Sequence, residues 1–180
     1  MLIDKSAAQV LIIDMQERLL PAMADAAGAV AGCSKLLRGA AQVDVPMLLS
    51  EQYPRGLGAT VPELAALAPE GAIMDKVHFS CASDAAIMDR IDANWRNQVV
   101  IGGVEAHVCV LQTAISLKER GFTPFVVMDA VSSRLPSSVE LAAGRLRAEG
   151  IALVNAEMVL FEWMAQAGTP EFKALSPMLR

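Results

Sequence analysis

Three residues of this chain have types and contexts suited to covalent catalysis on a carbonyl: the acid Asp14, the base Lys76 and the thiol Cys109. Asp14 closes the apolar run Val10-Leu11-Ile12-Ile13, and Lys76 closes Ala72-Ile73-Met74-Asp75. Cys109 follows the run Val99-Val100-Ile101 and a Gly102-Gly103 turn, where the next helix is expected to begin. A thiol at a helix N-terminus feels the positive end of the helix dipole, which favours the thiolate. An acid, a base and a thiol at three strand ends predict one shared site.

Each of the three also has a plainer reading. A carboxylate directly after four branched apolar residues loses solvation unless something compensates, yet Asp14 could equally be a loop acid or a helix cap. Lys76 could emerge at the surface. Cys109 could be a small buried hydrophobe, the role expected of Cys33 and Cys81. The chemical reading pairs them: Lys76 stabilises the Asp14 carboxylate, and Asp14 moves the thiol proton.

The elements that must position these groups alternate along the chain. Short apolar runs at 10–13, 47–49, 72–74, 99–101, 124–128 and 151–154 lack strict alternation, as strands covered on both faces do. Helical periodicity lies between them, at 25–42, 84–95, 107–120 and 137–149, with a short turn at 62–67 and a tail at 156–167 and 171–175. Ser83 stands before the helix at Asp84, and Gly121 and Gly150 stand where C-terminal caps belong. This order predicts a single α/β/α domain over 1–180: a Rossmann-like open parallel sheet of about six strands, with helices on both faces. Residues 50–60 (Ser-Glu-Gln-Tyr-Pro-Arg-Gly-Leu-Gly-Ala-Thr) read as a loop at a strand's carboxyl end, the ligand-binding edge of such sheets.

Composition narrows the function. The 180 residues are 54% hydrophobic with a formal net charge of −5. The longest apolar runs fall far short of the roughly 20 residues a membrane helix needs, so the apolar excess is assigned to two-sided burial of the sheet and to a subunit interface. Without a basic stripe, nucleic acid is an unexpected partner. Three cysteines with no CxxC, and an N-terminus without signal-peptide character, fit a reducing cytoplasm. A receiver domain would want adjacent acids after its first strand and a late lysine. Gly102-Gly103 and Gly56-Leu57-Gly58 do not make a dinucleotide fingerprint.

Three segments taken together carry a resemblance: Leu11-Ile12-Ile13-Asp14-Met15-Gln16, then Asp75-Lys76 with Phe79-Ser80, then Gly102-Gly103-Val104-Glu105-Ala106-His107-Val108-Cys109-Val110-Leu111-Gln112-Thr113-Ala114. The chain resembles the isochorismatase-like (cysteine) hydrolases over nearly its whole length. The resemblance implies that Asp14, Lys76 and Cys109 form a catalytic triad. It also implies a cis peptide between Val104 and Glu105, and an oxyanion hole made by the backbone N–H groups of Glu105 and Cys109. Hydrolysis of a small amide-like substrate through a thioester follows, with no cofactor. A non-catalytic scaffold that keeps the fold is the alternative.

Departures from the family pattern sharpen the expectation. Nicotinamidases in this family carry an Asp and several His after the second strand. Here that stretch is Ser50-Glu51-Gln52-Tyr53-Pro54-Arg55, and the chain's two histidines, His78 and His107, have no ligand spacing. No metal is expected. Family members that cleave isochorismate work without the thiol, so Cys109 favours an amide. The segment Gln52-Tyr53-Pro54-Arg55-Gly56-Leu57-Gly58 resembles a branch without a clear substrate. For the pocket, Gln16, Tyr53, Arg55 and Val104 are the candidates: Arg55 would hold a substrate carboxylate or lie solvated, and Gln16 would orient a neighbour of Asp14. Leu19 and Leu20 would wall the pocket or pack in the core. His107 would cap or pack rather than pair with Cys109. Family resemblance and the apolar surplus predict a homo-oligomer, a dimer or an assembly of dimers.

Overall fold

A computed structural model describes residues 1–179. Six strands, β1 (Ala8–Ile13), β2 (Met47–Gln52), β3 (Ile73–Lys76), β4 (Gln98–Val104), β5 (Thr123–Ser132) and β6 (Ala152–Val154), form one parallel sheet in the order β3-β2-β1-β4-β5-β6. The chain builds outward from β1 through β2 to β3, crosses back to β4 and builds outward the other way. Connections therefore leave β1 and β4 in opposite directions, which opens a crevice between their carboxyl ends.

The period of two along each strand makes two cores. Val10, Ile12, Leu49, Val100 and Phe125 face α1 (Ala26–Gln42), α7 (Ala156–Met164) and α8 (Pro170–Leu175). Leu11, Ile13, Leu48, Val99, Ile101 and Val126 face α4 (Ala85–Asp92), α5 (Leu111–Glu119) and α6 (Pro136–Ala148). Every residue of β1 and β4 is buried, which is why these strands read as continuous apolar runs rather than alternating ones.

The strands extend past their apolar runs because ladder pairing continues through polar residues whose side chains find partners. Gln9 at the start of β1, for example, donates to the Ile91 and Arg96 carbonyls. The expected loop at 50–60 is likewise corrected. Ser50, Glu51 and Gln52 belong to β2, and a helical turn follows, α2 (Pro54–Leu57); the short turn expected at 62–67 is present as α3 (Pro62–Ala65), and each turn is opened by a proline. Asp84, not Ser83, caps α4, accepting from the Ala86 and Ile87 N–H groups, and the helix stops at Asp92. The tail helix ends at Met164. The helix expected over 107–120 begins instead with a π-helical turn, Ala106–Val110, and becomes α5 at Leu111.

One glycine decides how closely β4 can approach β1. Gly103 has φ +117°, and a Cβ there would lie 2.1 Å from the Ile13 carbonyl oxygen. The register of β4 on β5 also shifts between Ile101 and Gly103. The strand end beyond Gly103 thereby lies directly against the strand end that carries Asp14. The following peptide, Val104–Glu105, is cis.

Candidate active site

Asp14 leaves β1 in the left-handed region, φ 54°, which turns its side chain out of the strand direction into the crevice. Its main chain is fixed on both sides: its N–H donates to the Ser50 carbonyl (3.0 Å) and its carbonyl accepts from Gln16 N–H (2.8 Å). Lys76, the last residue of β3, reaches across β2 and donates from Nζ to Asp14 Oδ2 at 2.8 Å, with both side chains wholly buried. Nζ also donates to Gln52 Oε1 at 2.7 Å. On the other carboxylate oxygen, Ser50 Oγ donates to Oδ1 at 2.7 Å. Cys109, from the π-helical turn, completes the group, its thiol near enough to the Asp14 carboxyl for each to shift the other's proton affinity. The structure thus brings Asp14, Lys76 and Cys109 to one point.

Electrostatics at that point differ from the expectation of a thiolate. Burial pushes the Cys109 thiol upward, and the Asp14 charge pushes it further than Lys76 can offset. Burial likewise raises Asp14, against the opposing pull of Lys76 and Ser50. Cys109 rests as a thiol beside a base of enhanced proton affinity, which suits proton transfer on attack rather than a standing ion pair. The helix-dipole argument fails for a local reason. The thiol is the fourth residue of a turn, is only 6% exposed and faces an anion.

The oxyanion-hole candidates lie on the same turn. Glu105 N–H makes no hydrogen bond among the described residues, while its carbonyl accepts from Val108 and Val110 N–H. The Glu105 carboxylate points away to Arg134, accepting from its N–H (3.1 Å) and Nε (3.0 Å). The side chain is therefore anchored outside the crevice while the backbone donor stays free.

Of the pocket candidates, Tyr53 and Arg55 line a cavity of about 370 Å³ with Pro54, Asp75, Lys76, Val77 and Asp84. Tyr53 N–H donates to the Lys76 carbonyl at 2.9 Å, tying this wall to β3. The side chains of Gln16 and Val104 are buried rather than on the cavity wall. Gln16 is completely buried and spends its amide on the chain itself: Nε2 donates to the Gln52 and Gly58 carbonyls (3.0 and 2.7 Å), and Oε1 accepts from Gln52 N–H (2.8 Å). Val104 points into the core beneath α1. Leu20 is a core residue and Leu19 packs against the same core. His107 places Nδ1 3.0 Å from Ser133 Oγ and lines a separate depression with Arg134, Leu135 and Ser138.

Three neighbours of Asp14 and Lys76 escape sequence reasoning: Ser50, Gln52 and Cys81. The signal for the first two was their spacing, polar residues two apart continuing an apolar strand that pairs with β1. Cys81, in a short turn after β3, places Sγ 3.5 Å from Ser50 Oγ. Nothing in its local sequence marks that position. Among the described residues, no three His, Cys, Asp or Glu side chains gather as metal ligands, and no helix is long and apolar enough to cross a membrane.

Comparison with known proteins places this geometry in a family. The family model for the isochorismatase domain matches residues 8–158. Isochorismatase domain-containing protein 2 of Danio rerio is 36% identical over 171 residues, covering 94% of this chain and 85% of its own length. Among solved structures, the MAR1 ribonuclease of Caenorhabditis elegans superposes with a TM-score of 0.93 at 30% identity, covering 99% of this chain and 92% of that one. The YcaC gene product of Escherichia coli, described as an octameric hydrolase of unknown specificity, superposes with a TM-score of 0.92 at 26% identity, covering 99% and 89%. The matched span contains both strand ends of the crevice and the turn that carries the thiol, and the chain belongs to the isochorismatase-like hydrolase family.

Proposed function

We propose that this hydrolase cleaves the C–N bond of a small amide-like substrate through a thioester on Cys109. The observation that carries the reading is the position of Asp14, which faces the thiol on one side and an ammonium on the other. In the first half-reaction Asp14 takes the Cys109 proton as sulfur attacks the carbonyl carbon. The backbone N–H groups of Glu105 and Cys109 receive the oxyanion, and the free Glu105 donor supports that role. Collapse breaks the C–N bond, and protonated Asp14 gives its proton to the departing amine. In the second, Asp14 deprotonates water, hydroxide adds to the thioester, and the thiol is released with the acid. Lys76 keeps Asp14 anionic between these steps.

The test is release of ammonia or amine from a panel of amides, carbamates and lactams. Wild-type turnover lost in both Cys109→Ala and Asp14→Asn is the expected result; equal turnover in Cys109→Ala refutes the mechanism. A required metal is not part of the reading, so exhaustive chelation is expected to leave turnover intact.

The ribonuclease name of one structural relative motivates a second reading, cleavage of RNA. It is disfavoured by the formal net charge of −5 and by a cavity whose Lys76 is already neutralised by Asp14, leaving Arg55 against Asp75 and Asp84. Incubation with single-stranded RNA decides it, and Cys109-dependent cleavage would favour the RNA reading. The non-catalytic scaffold is the third. It predicts no turnover of any member of the panel. The octameric description of one relative supports self-association, a dimer or assembly of dimers, and three unpaired cysteines support a reducing cytoplasm.

A further inference from the structure

The Asp14 carboxylate is held by more than Lys76. Ser50 touches Asp14 twice, its carbonyl accepting the Asp14 backbone N–H (3.0 Å) and its Oγ lying 2.7 Å from the carboxylate Oδ1. An ionised carboxylate only accepts, so the Ser50 hydroxyl must donate its single proton there. What fixes the hydroxyl rotor is on the far side: Cys81 Sγ lies 3.5 Å from Ser50 Oγ. Burial holds the Cys81 thiol up at about 11, so it keeps its proton at neutral pH and, with the Ser50 proton already given to Asp14, is the donor in this pair. Cys81 is itself anchored, its N–H donating to Thr113 Oγ1 at 2.9 Å. The result is a directed chain of donors, thiol to hydroxyl to carboxylate, ending on the oxygen opposite Lys76.

Asp14 is faced by Lys76 from β3, by Cys109 from the π-helical turn and by Cys81 from the turn after β3. Of these, Lys76 is the partner already paired with Oδ2, and Cys109 is the proton source. Ser50 with Cys81 is the remaining influence on how firmly Asp14 stays ionised.

We propose that Ser50 is a positioning residue for the base: its hydroxyl, oriented by Cys81, stabilises ionised Asp14 and so sets the pH at which Asp14 can accept the Cys109 proton. The proposal rests on the reading of Asp14 as that base. Removing a hydrogen bond to a charged form favours the neutral form, so losing the hydroxyl raises the pH at which Asp14 ionises.

The experiment is the pH dependence of Cys109 carboxamidomethylation by iodoacetamide on the full chain, followed by peptide mass spectrometry. It needs no substrate. Wild-type protein gives an acid limb as Asp14 ionises. In Ser50→Ala the limb moves up by about one pH unit, about tenfold slower labelling at a fixed pH below the midpoint. Ser50→Thr, which keeps the hydroxyl, returns the limb to the wild-type position, and Cys81→Ala moves it part of the way. A packing role alone would change stability without moving the limb. Asp14→Asn separates the two levels. If the limb survives in Asp14→Asn, the base assignment fails and the proposal with it. If it vanishes there but stays unmoved in Ser50→Ala, the proposal alone is overturned. Should Ser50→Ala not fold, an unmoved limb in Cys81→Ala overturns it.

Discussion

Lys76 Nζ and Asp14 Oδ2 meet at 2.8 Å with neither side chain reaching solvent, although the two residues stand at opposite sides of β2. The pair spans three strand ends, and Gln52 of the intervening strand takes a second proton of the ammonium. Breaking such a pair is far more costly than never having it, because one charge stays buried without its partner.

Lys76→Met is therefore expected to lose about 3–5 kcal/mol of stability at neutral pH. The loss should depend on pH in a definite direction. Asp14 already sits above its unfolded value, so its folded form loses stability as pH rises through the folded value. Without Lys76 that value moves higher still. Urea denaturation across pH should show a deficit that is largest in alkali and shrinks toward acid; a deficit independent of pH would contradict the account.

Gly103→Ala should be among the most damaging single changes. The new Cβ would meet backbone, not a movable side chain, and would sit at φ +117°. Expected is a loss of at least about 3 kcal/mol or insoluble protein, on the scale of the large core and strained-backbone effects. Gly144→Ala, at a helical position with open space around it, serves as the control and should be neutral or slightly stabilising in thermal melts.

The three thiols should separate by access and by pH. Cys33 and Cys81 are sealed, while Cys109 retains 6% exposure. Iodoacetamide should modify Cys109 first, and the rate should climb with pH as Asp14, raised by burial, ionises and can take up the thiol proton. Fast labelling at mildly acidic pH, the behaviour of a dipole-stabilised thiolate, is not expected. Site-resolved mass spectrometry of timed samples checks both points.

Gln16→Ala should loosen the segment that carries Tyr53 and Arg55. Three part-buried hydrogen bonds disappear at once, two of them to Gln52, which also supports Lys76. The expected cost is about 1–3 kcal/mol, given the penalty for partly buried backbone groups left without partners. Hydrogen exchange should rise at Gln52 N–H and through Arg55–Leu57 before it rises in β1. Uniform acceleration over the whole sheet would argue for global destabilisation instead.

The sheet and the meeting of Asp14, Lys76 and Cys109 were legible because parallel strands buried on both faces write themselves as apolar runs, and a charged residue closing such a run stands out. Ser50 and Gln52 were harder to see because a polar residue after an apolar run reads as the end of a strand, whereas here the backbone ladder carries on and the side chains are satisfied by Asp14 and Lys76. Cys81 was hidden for a different reason: its role comes from a contact with a strand 31 positions away. Helical periodicity before α5 could not distinguish a π-helical turn from an α-helical one, and with it went the environment of the thiol.

The grip of Gln16 on the end of β2 and on the chain that follows falls on carbonyls and an N–H, never on a side chain. Residues 53 and 55 are thus free to change identity while the frame beneath them holds its shape. Such an arrangement works like an interchangeable cartridge: selection can retune what enters the crevice by rewriting a few exposed positions, leaving the reactive centre untouched.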